Sequence, residues 1–325
     1  MRRSTDRILT THVGALPGPM QGTQDTLPDD ELRVAVRDVV RKQRDAGVDF
    51  INEGELTKGG NFVTFINSRL SGFEASDAAA MGAVLTSSRD WTEFSDFYNK
   101  ALTRGTLFEQ TGAVPDQAPS RRMALLCRGP VEYVGQQSLQ REIDALRDAL
   151  DGYPASDAFL TTTAPASIEV GRTNEYYRSQ EEFVYALADA LKVEYQTIVA
   201  AGFQVQIDDA WLAALWDRIG IRMGLEAYKR YCMIRVEALN HALAGIPEDR
   251  VRYHLAPGVV THSTPLIEHP ELVSQRIQRF VKAVGKENVV ASTDCGLGLR
   301  CHPQIAWAKL RALSEGATLA SRAQV

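Results

Sequence analysis

The sequence is poor in cysteine, with four in 325 residues. None forms a Cys-x-x-Cys pair, which excludes a disulfide framework and a paired-thiolate metal knuckle. Any special cysteine must act singly, as a ligand or a nucleophile. The chain also lacks a basic excess: 36 Lys and Arg stand against 41 Asp and Glu, a formal net charge of −5. No surplus of cations is left to neutralise a polynucleotide, which argues against DNA or RNA as the main partner. No apolar run is long enough to span a bilayer, and the charged start Met1-Arg2-Arg3-Ser4-Thr5-Asp6-Arg7 has no apolar signal-peptide core. A cytoplasmic protein with no membrane partner is therefore expected. Gly296-Leu297-Gly298 lacks the further glycine and the strand context of a dinucleotide fingerprint, and nothing else makes a phosphate loop.

What is present is an alternation of β-branched runs with amphipathic stretches, the order expected of strand–helix repeats around a parallel sheet. The pattern predicts a strand over 7–12, a helix over 28–47 carrying Leu32, Val36, Val39 and Val40 on one face, and a strand over 48–52. Residues 57 to about 122 are polar and weakly patterned, an excursion from the main fold. Met123–Val134, broken at Gly129-Pro130, reads as a β-hairpin, followed by a helix over 136–150 and a strand over 158–163. Further helices are expected over 181–201, 225–244, 271–284 and 304–319. Strands are expected over 203–207, 251–255, 259–262 and 289–293.

The carboxyl ends of these strands carry Glu53-Gly54-Glu55, Asp208-Asp209, His254, His262-Ser263 and Asp294-Cys295-Gly296. In parallel α/β folds that edge is where chemistry sits, which favours a (β/α) barrel. His254 and Cys295 could share a zinc ion; equally, they could be a hydrogen-bonded histidine and an inert buried thiol. Glu55, Asp208, Asp209 and His262 suit holding an ammonium and delivering a proton, or else solvation and helix capping. Tyr176-Tyr177, Trp211 and Trp216 could line a pocket or pack in the core.

The segments Thr10-Thr11-His12-Val13-Gly14, Asn52-Glu53-Gly54-Glu55, Gln206-Ile207-Asp208-Asp209, Gly258-Val259-Val260-Thr261-His262-Ser263 and Thr293-Asp294-Cys295-Gly296-Leu297 resemble the cobalamin-independent methionine synthases. The likeness is to short relatives of that enzyme's C-terminal catalytic barrel, and it runs from the first strand to the last helix. It implies an α/β fold of the TIM-like (β/α) barrel type in one domain, 1–325, with an excursion at about 57–135. The implied activity is methyl transfer from a methyltetrahydrofolate-like donor to a homocysteine-like thiol, with zinc holding the sulfur as thiolate. By the same resemblance His254 and Cys295 match two zinc ligands. Glu55, Asp208 and Gly14 match the amino-acid pocket, and His262 matches the histidine that protonates the departing folate nitrogen.

The sequence departs from that pattern. The family's zinc site adds a cysteine two residues after its histidine and a glutamate on the next strand; here position 256 is Ala256, and no Glu-bearing strand follows. Cys301-His302 is the nearest substitute, but adjacent side chains on an extended segment diverge. Ala15 stands where the family has Ser. Only Ala256-Pro257-Gly258 separates two expected strands, whereas a parallel crossover needs about a dozen residues. One strand and its flanking helices are therefore expected to be missing after Leu255. Either unpaired edge groups are exposed or a second copy covers them in a homo-oligomer. Two other readings stay open: a thiol alkyltransferase using an epoxide or methylated aromatic donor, and a non-catalytic homologue without a complete zinc site.

Overall fold

The computed structural model describes residues 2–19, 27–58, 65–76, 89–96, 124–254, 258–298 and 301–323. Strand β1 (Leu9–Thr10) leads to helix α1 (Asp29–Asp45). Pro28 precedes the first turn of α1, Asp29, Asp30 and Glu31 sit at its positive end, and Lys42 and Arg44 sit at its negative end. Its buried stripe, Leu32, Val36, Val39 and Val40, is the one that the spacing predicts. In the excursion, β2 (Phe73–Ser76) pairs antiparallel with β3 (Ala124–Cys127), and β3 pairs parallel with β5 (Arg172–Asn174).

The expected hairpin across Gly129-Pro130 is not formed. Instead, 124–134 runs as one antiparallel partner of 69–76: Leu70 bridges Tyr133, and Gly72 O accepts from Arg128 N at 3.0 Å. Gly72, at φ +85°, makes the bend, and its α-carbon faces the Gly129 and Pro130 carbonyls too closely for any side chain. The glycine-proline break marks a kink matched by a kink in a distant strand, not a turn.

Helix α2 (Gln136–Ala149) precedes β4 (Phe159–Thr163), and α3 (Gln180–Ala200) precedes β6 (Gln204–Asp208). Ser179 caps α3, its Oγ accepting from Glu182 N at 3.0 Å. Then come α4 (Leu225–Leu243), β7 (Val251–His254), α5 (Pro270–Val284), β8 (Val290–Ala291) and α6 (Pro303–Arg322). Among the described residues no helix is long and apolar enough to cross a membrane.

Parallel pairing sets these strands in a fixed spatial order. β8 lies beside β1, with Leu9 opposite Val290. Asp49 N and Phe50 N donate to Thr10 O, and Ile51 bridges Ala158 at the start of β4. β4 pairs with β6 and β6 with β7, while Val260 bridges Thr293 beyond β8. Among the described residues no ladder joins β7 to Val259–Val260, so the series is open there. The α/β architecture is the expected one, but among the described residues the strands do not form a closed barrel. The opening falls where the chain is too short for a crossover; the seam itself, Leu255-Ala256-Pro257, lies outside the described residues.

Alternation along the strands sorts their side chains. Val205 and Ile207 of β6, with Leu160 of β4, face the helices and join the main core with Leu187, Leu191 and Ile198 of α3. Leu9, Phe50 and Phe159 form a separate apolar cluster on the other face of the strands. Each such side chain contributes about 1.5–3 kcal/mol by leaving water. Beside that cluster the same face is polar, and Thr161, Gln206, Asp208, Arg252 and His254 alternate along β4, β6 and β7.

Candidate functional site

Glu55 is carried on a turn that the backbone would not adopt unaided. Gly54 (φ +78°) and Glu55 (φ +55°) are both left-handed, a conformation that costs a non-glycine residue about 1 kcal/mol or more. Asn52 holds the turn, its Oδ1 accepting from Gly54 N at 2.8 Å and its Nδ2 donating to Gly14 O at 3.2 Å. Gln43 of α1 braces Asn52 in turn: Gln43 Oε1 accepts from Asn52 N at 2.9 Å and Gln43 Nε2 donates to Asn52 O at 2.7 Å. The buried His12 ring meets the same amide, Nε2 to Gln43 Oε1 at 2.7 Å, and burial pushes its pKa down to about 4.

The Glu55 carboxyl, 8% exposed, lies over Gly14, where a β-carbon would come within 2.1 Å of Glu55 Oε1. Gly14 is thus the residue that makes room for the carboxylate. Thr161 of β4 donates its hydroxyl to Oε1 at 2.6 Å, and Oε2 has no hydrogen-bond partner among the described residues. Burial pushes the Glu55 pKa up to about 8; the charges of Asp208 and Glu53 add to the rise, and those of Lys58 and the Thr161 bond oppose it. Across from it, Asp208 Oδ1 accepts from Gln206 Nε2 at 2.9 Å and meets His254 Nδ1 at 3.2 Å. Asp209 faces elsewhere, between Ser167 Oγ and Tyr253 OH at 2.7 Å each.

Behind Glu55 lies a buried charge network. Lys58 Nζ donates to Thr161 O at 2.7 Å and Thr161 Oγ1 at 2.9 Å, and lies 3.3 Å from Glu53 and 3.8 Å from Glu142. Arg69 then pairs with Glu142 at 2.5 Å and Glu194 at 3.2 Å.

The second group sits at the opening of the strand series. His262 donates its backbone N–H to Asp294 Oδ1 at 2.8 Å, and its ring Nδ1 lies 2.8 Å from the same oxygen. Burial alone would raise the Asp294 pKa, but the His262 side-chain and backbone bonds outweigh it and hold it below the ordinary value. Gly258 permits this meeting, since a β-carbon there would lie 2.1 Å from Asp294 N. The His254 ring bridges β7 to this segment: Nδ1 faces Asp208 and Nε2 faces Asp294 O at 3.2 Å. Burial lowers the His254 pKa, and the hydrogen bond to Asp208, the charge of Asp208 and the bond to Asp294 O together more than reverse that, leaving it raised.

His254 is therefore brought next to the residue preceding Cys295, a partly buried thiol. Among the described residues the pair is not part of a complete zinc centre. Both imidazole nitrogens of His254 face oxygen atoms, and among the described residues no group of three or more His, Cys, Asp or Glu is placed to hold a metal. Zinc sites use three or four protein ligands, so these residues do not fit one. Nor does the Cys301-His302 pair converge on it: Cys301 Sγ points to His262 O at 3.6 Å, and His302 caps α6 by accepting from Gln304 N at 3.3 Å.

No family model matches the chain. A methionine synthase of Thermococcus kodakarensis is 22% identical to it, across 96% of this chain and 93% of that protein. One of Saccharolobus solfataricus is 24% identical, across 94% and 93%. Among solved structures, a B12-independent methionine synthase from Shewanella sp. W3-18-1 in complex with selenomethionine superposes with a TM-score of 0.69 at 18% identity, covering 98% of this chain and 99% of that one. This chain resembles the methionine synthases over nearly its whole length. The structural likeness extends that resemblance to the α/β fold.

Within this methionine synthase-like frame, Gly14, Glu55 and Asp208 gather on one side, and His254, His262 and the Asp294-Cys295 turn on the other. Sequence reasoning passed over Thr161 and Lys58, and it gave Asp294 no role of its own. Asp294 lies inside the quoted Asp-Cys-Gly-Leu segment and Lys58 lies three residues after Glu55, so both stood beside a signal. Thr161 is one threonine of three in a buried strand, and nothing local distinguishes it.

Proposed function

We propose that this chain binds a sulfur-containing amino acid and acts as an S-methyltransferase of the methionine synthase type. On this reading its open strand series is a (β/α) barrel lacking one strand and its flanking helices after β7. The observation that carries the proposal is the pair of buried carboxylates Glu55 and Asp208, which repel one another and each keep an oxygen without a protein partner among the described residues. A substrate ammonium between them relieves that repulsion, and its arrival favours the ionised form of Glu55. His262, oriented by Asp294, is the group placed to hold and deliver a proton to a leaving nitrogen. The partners proposed are small molecules, a homocysteine-like thiol and a methylfolate-like donor, and no step is routed through zinc.

The test is calorimetric binding of L-methionine and L-homocysteine, together with methionine formation from homocysteine and 5-methyltetrahydrofolate, with and without added zinc. Binding that is lost in Glu55→Gln, with methionine formed, is the expected result; no binding by the unaltered protein overturns it. A second reading is favoured by the engagement of both His254 nitrogens: an amino-acid-binding homologue without turnover. Binding with no product under either zinc condition selects it.

A further inference from the structure

We propose that Lys58 is a positioning residue of the amino-acid pocket, acting through Thr161 to present Glu55 to the ligand as a carboxylate. This rests on the proposed amino-acid reading and assigns that pocket a residue outside it. An ammonium has three protons and no lone pair, so Lys58 Nζ can only donate. Thr161 Oγ1, 2.9 Å away, must accept from it, and its hydroxyl proton can then go to Glu55 Oε1 at 2.6 Å. With Glu55 ionised the direction of the chain is set: Lys58 to Thr161 to Glu55. Oε1 then accepts, and Oε2 is the oxygen left to meet an ammonium.

Lys58 is itself held on every side. It is 1% exposed, its second bond goes to Thr161 O at 2.7 Å, and Phe65 lies with its ring centre 5.3 Å away. The charged groups facing Lys58 are Glu53 and Glu55 from its own turn, Glu142 from α2, and Arg69. Those facing Glu55 are Lys58, Glu53 and Asp208 of β6. Of these, only Lys58 is a cation, so its charge, together with the Thr161 hydrogen bond, opposes the burial and the two neighbouring carboxylates that favour a protonated Glu55. A lysine serving merely to neutralise Glu53 and Glu142 would have no need of the shared threonine.

The experiment measures L-methionine affinity by calorimetry from pH 6 to 9.5 for the unaltered protein, Lys58→Met, Thr161→Val and Thr161→Ser. A ligand-free readout, the titration of the Glu55 carboxyl by carbon-13 NMR, is made on the same proteins. Removing a cation this close shifts a carboxylate by about one pH unit or more. Lys58→Met should therefore lose at least about tenfold in affinity at pH 7 and recover most of it at pH 9.5, with the Glu55 titration displaced upward. Thr161→Val should shift both profiles the same way by less, and Thr161→Ser should restore them. A loss by the same factor at every pH, or an unmoved Glu55 titration, overturns the assignment. Should Lys58→Met fail to fold, the Val-against-Ser contrast at 161 decides. If the unaltered protein binds no amino acid but the Glu55 titration still moves, the functional reading fails and the positioning role of Lys58 stands.

Discussion

The two halves of the candidate site are built differently. Around Glu55, the supporting groups each meet two or more neighbours: Asn52 meets Gln43, Gly14 and Gly54, Thr161 meets Lys58 and Glu55, Lys58 meets Glu53 and Glu142, and Glu142 meets Lys58 and Arg69. Around His262, one carboxylate, Asp294, ties together a segment at the open end of the strand series, and its side chain is 25% exposed against 1% for Glu142. Buried and multiply bonded groups hold the Glu55 carboxyl, the proposed ligand-binding group, on a left-handed turn. A partly exposed pair at an edge is freer to reorient, which would suit the proton delivery proposed for His262. The two residues that the resemblance matches to a metal site, His254 and Cys295, belong to this second half.

Four measurements can break or sharpen that contrast. Arg69→Met leaves Glu142 and Glu194 buried with one cation fewer and should cost about 3–5 kcal/mol in denaturant unfolding; a loss below 1 kcal/mol would mean the first half is not interlocked. His12 gives the next largest effect. Its folded pKa lies below the unfolded value, so its contribution is present above about 6.5 and is lost as pH falls toward 4. Between pH 7 and pH 5 the protein should lose about 2 kcal/mol more than a His12→Asn variant does, read from unfolding at the two pH values.

Gly14→Ala pushes a methyl into Glu55 and should cost about 1.5 kcal/mol with at least about a tenfold loss of amino-acid affinity. Stability lost with affinity unchanged would show that the carboxylate is not the recognising group. Asp294→Ala, in the second half, removes two hydrogen bonds at a partly exposed position and should cost about 1 kcal/mol while leaving amino-acid affinity within about twofold. A larger loss there than in Arg69→Met would invert the comparison.

Much of this was legible in sequence where the signal is local. The long helices begin within a residue of the hydrophobic stripes and caps that mark them, because an amphipathic helix carries its own periodicity; α6 runs three residues past its expected end, to Arg322. Glu55, Asp208, His254 and His262 were singled out because strand ends are readable, and the fold brings Asp208 and His254 within 3.2 Å of one another. The error at Gly129-Pro130 has the opposite origin: whether a kinked strand folds on itself or follows a distant partner is settled by residues 69–76, more than fifty positions away. The opening after β7, by contrast, was expected from the three residues available there for a crossover, and among the described residues no ladder closes it.

The linear order of the residues determined the long helices, the alternation of faces along the strands and the shortness of the connection after Leu255, since all of these follow from spacing and chain length. Only the folded chain decided which polar groups share a proton or a charge. Thr161 lies 106 positions from Glu55 and Asp294 lies 32 from His262. Hydrogen bonds and desolvation act over a few ångströms of space, whatever the distance along the chain.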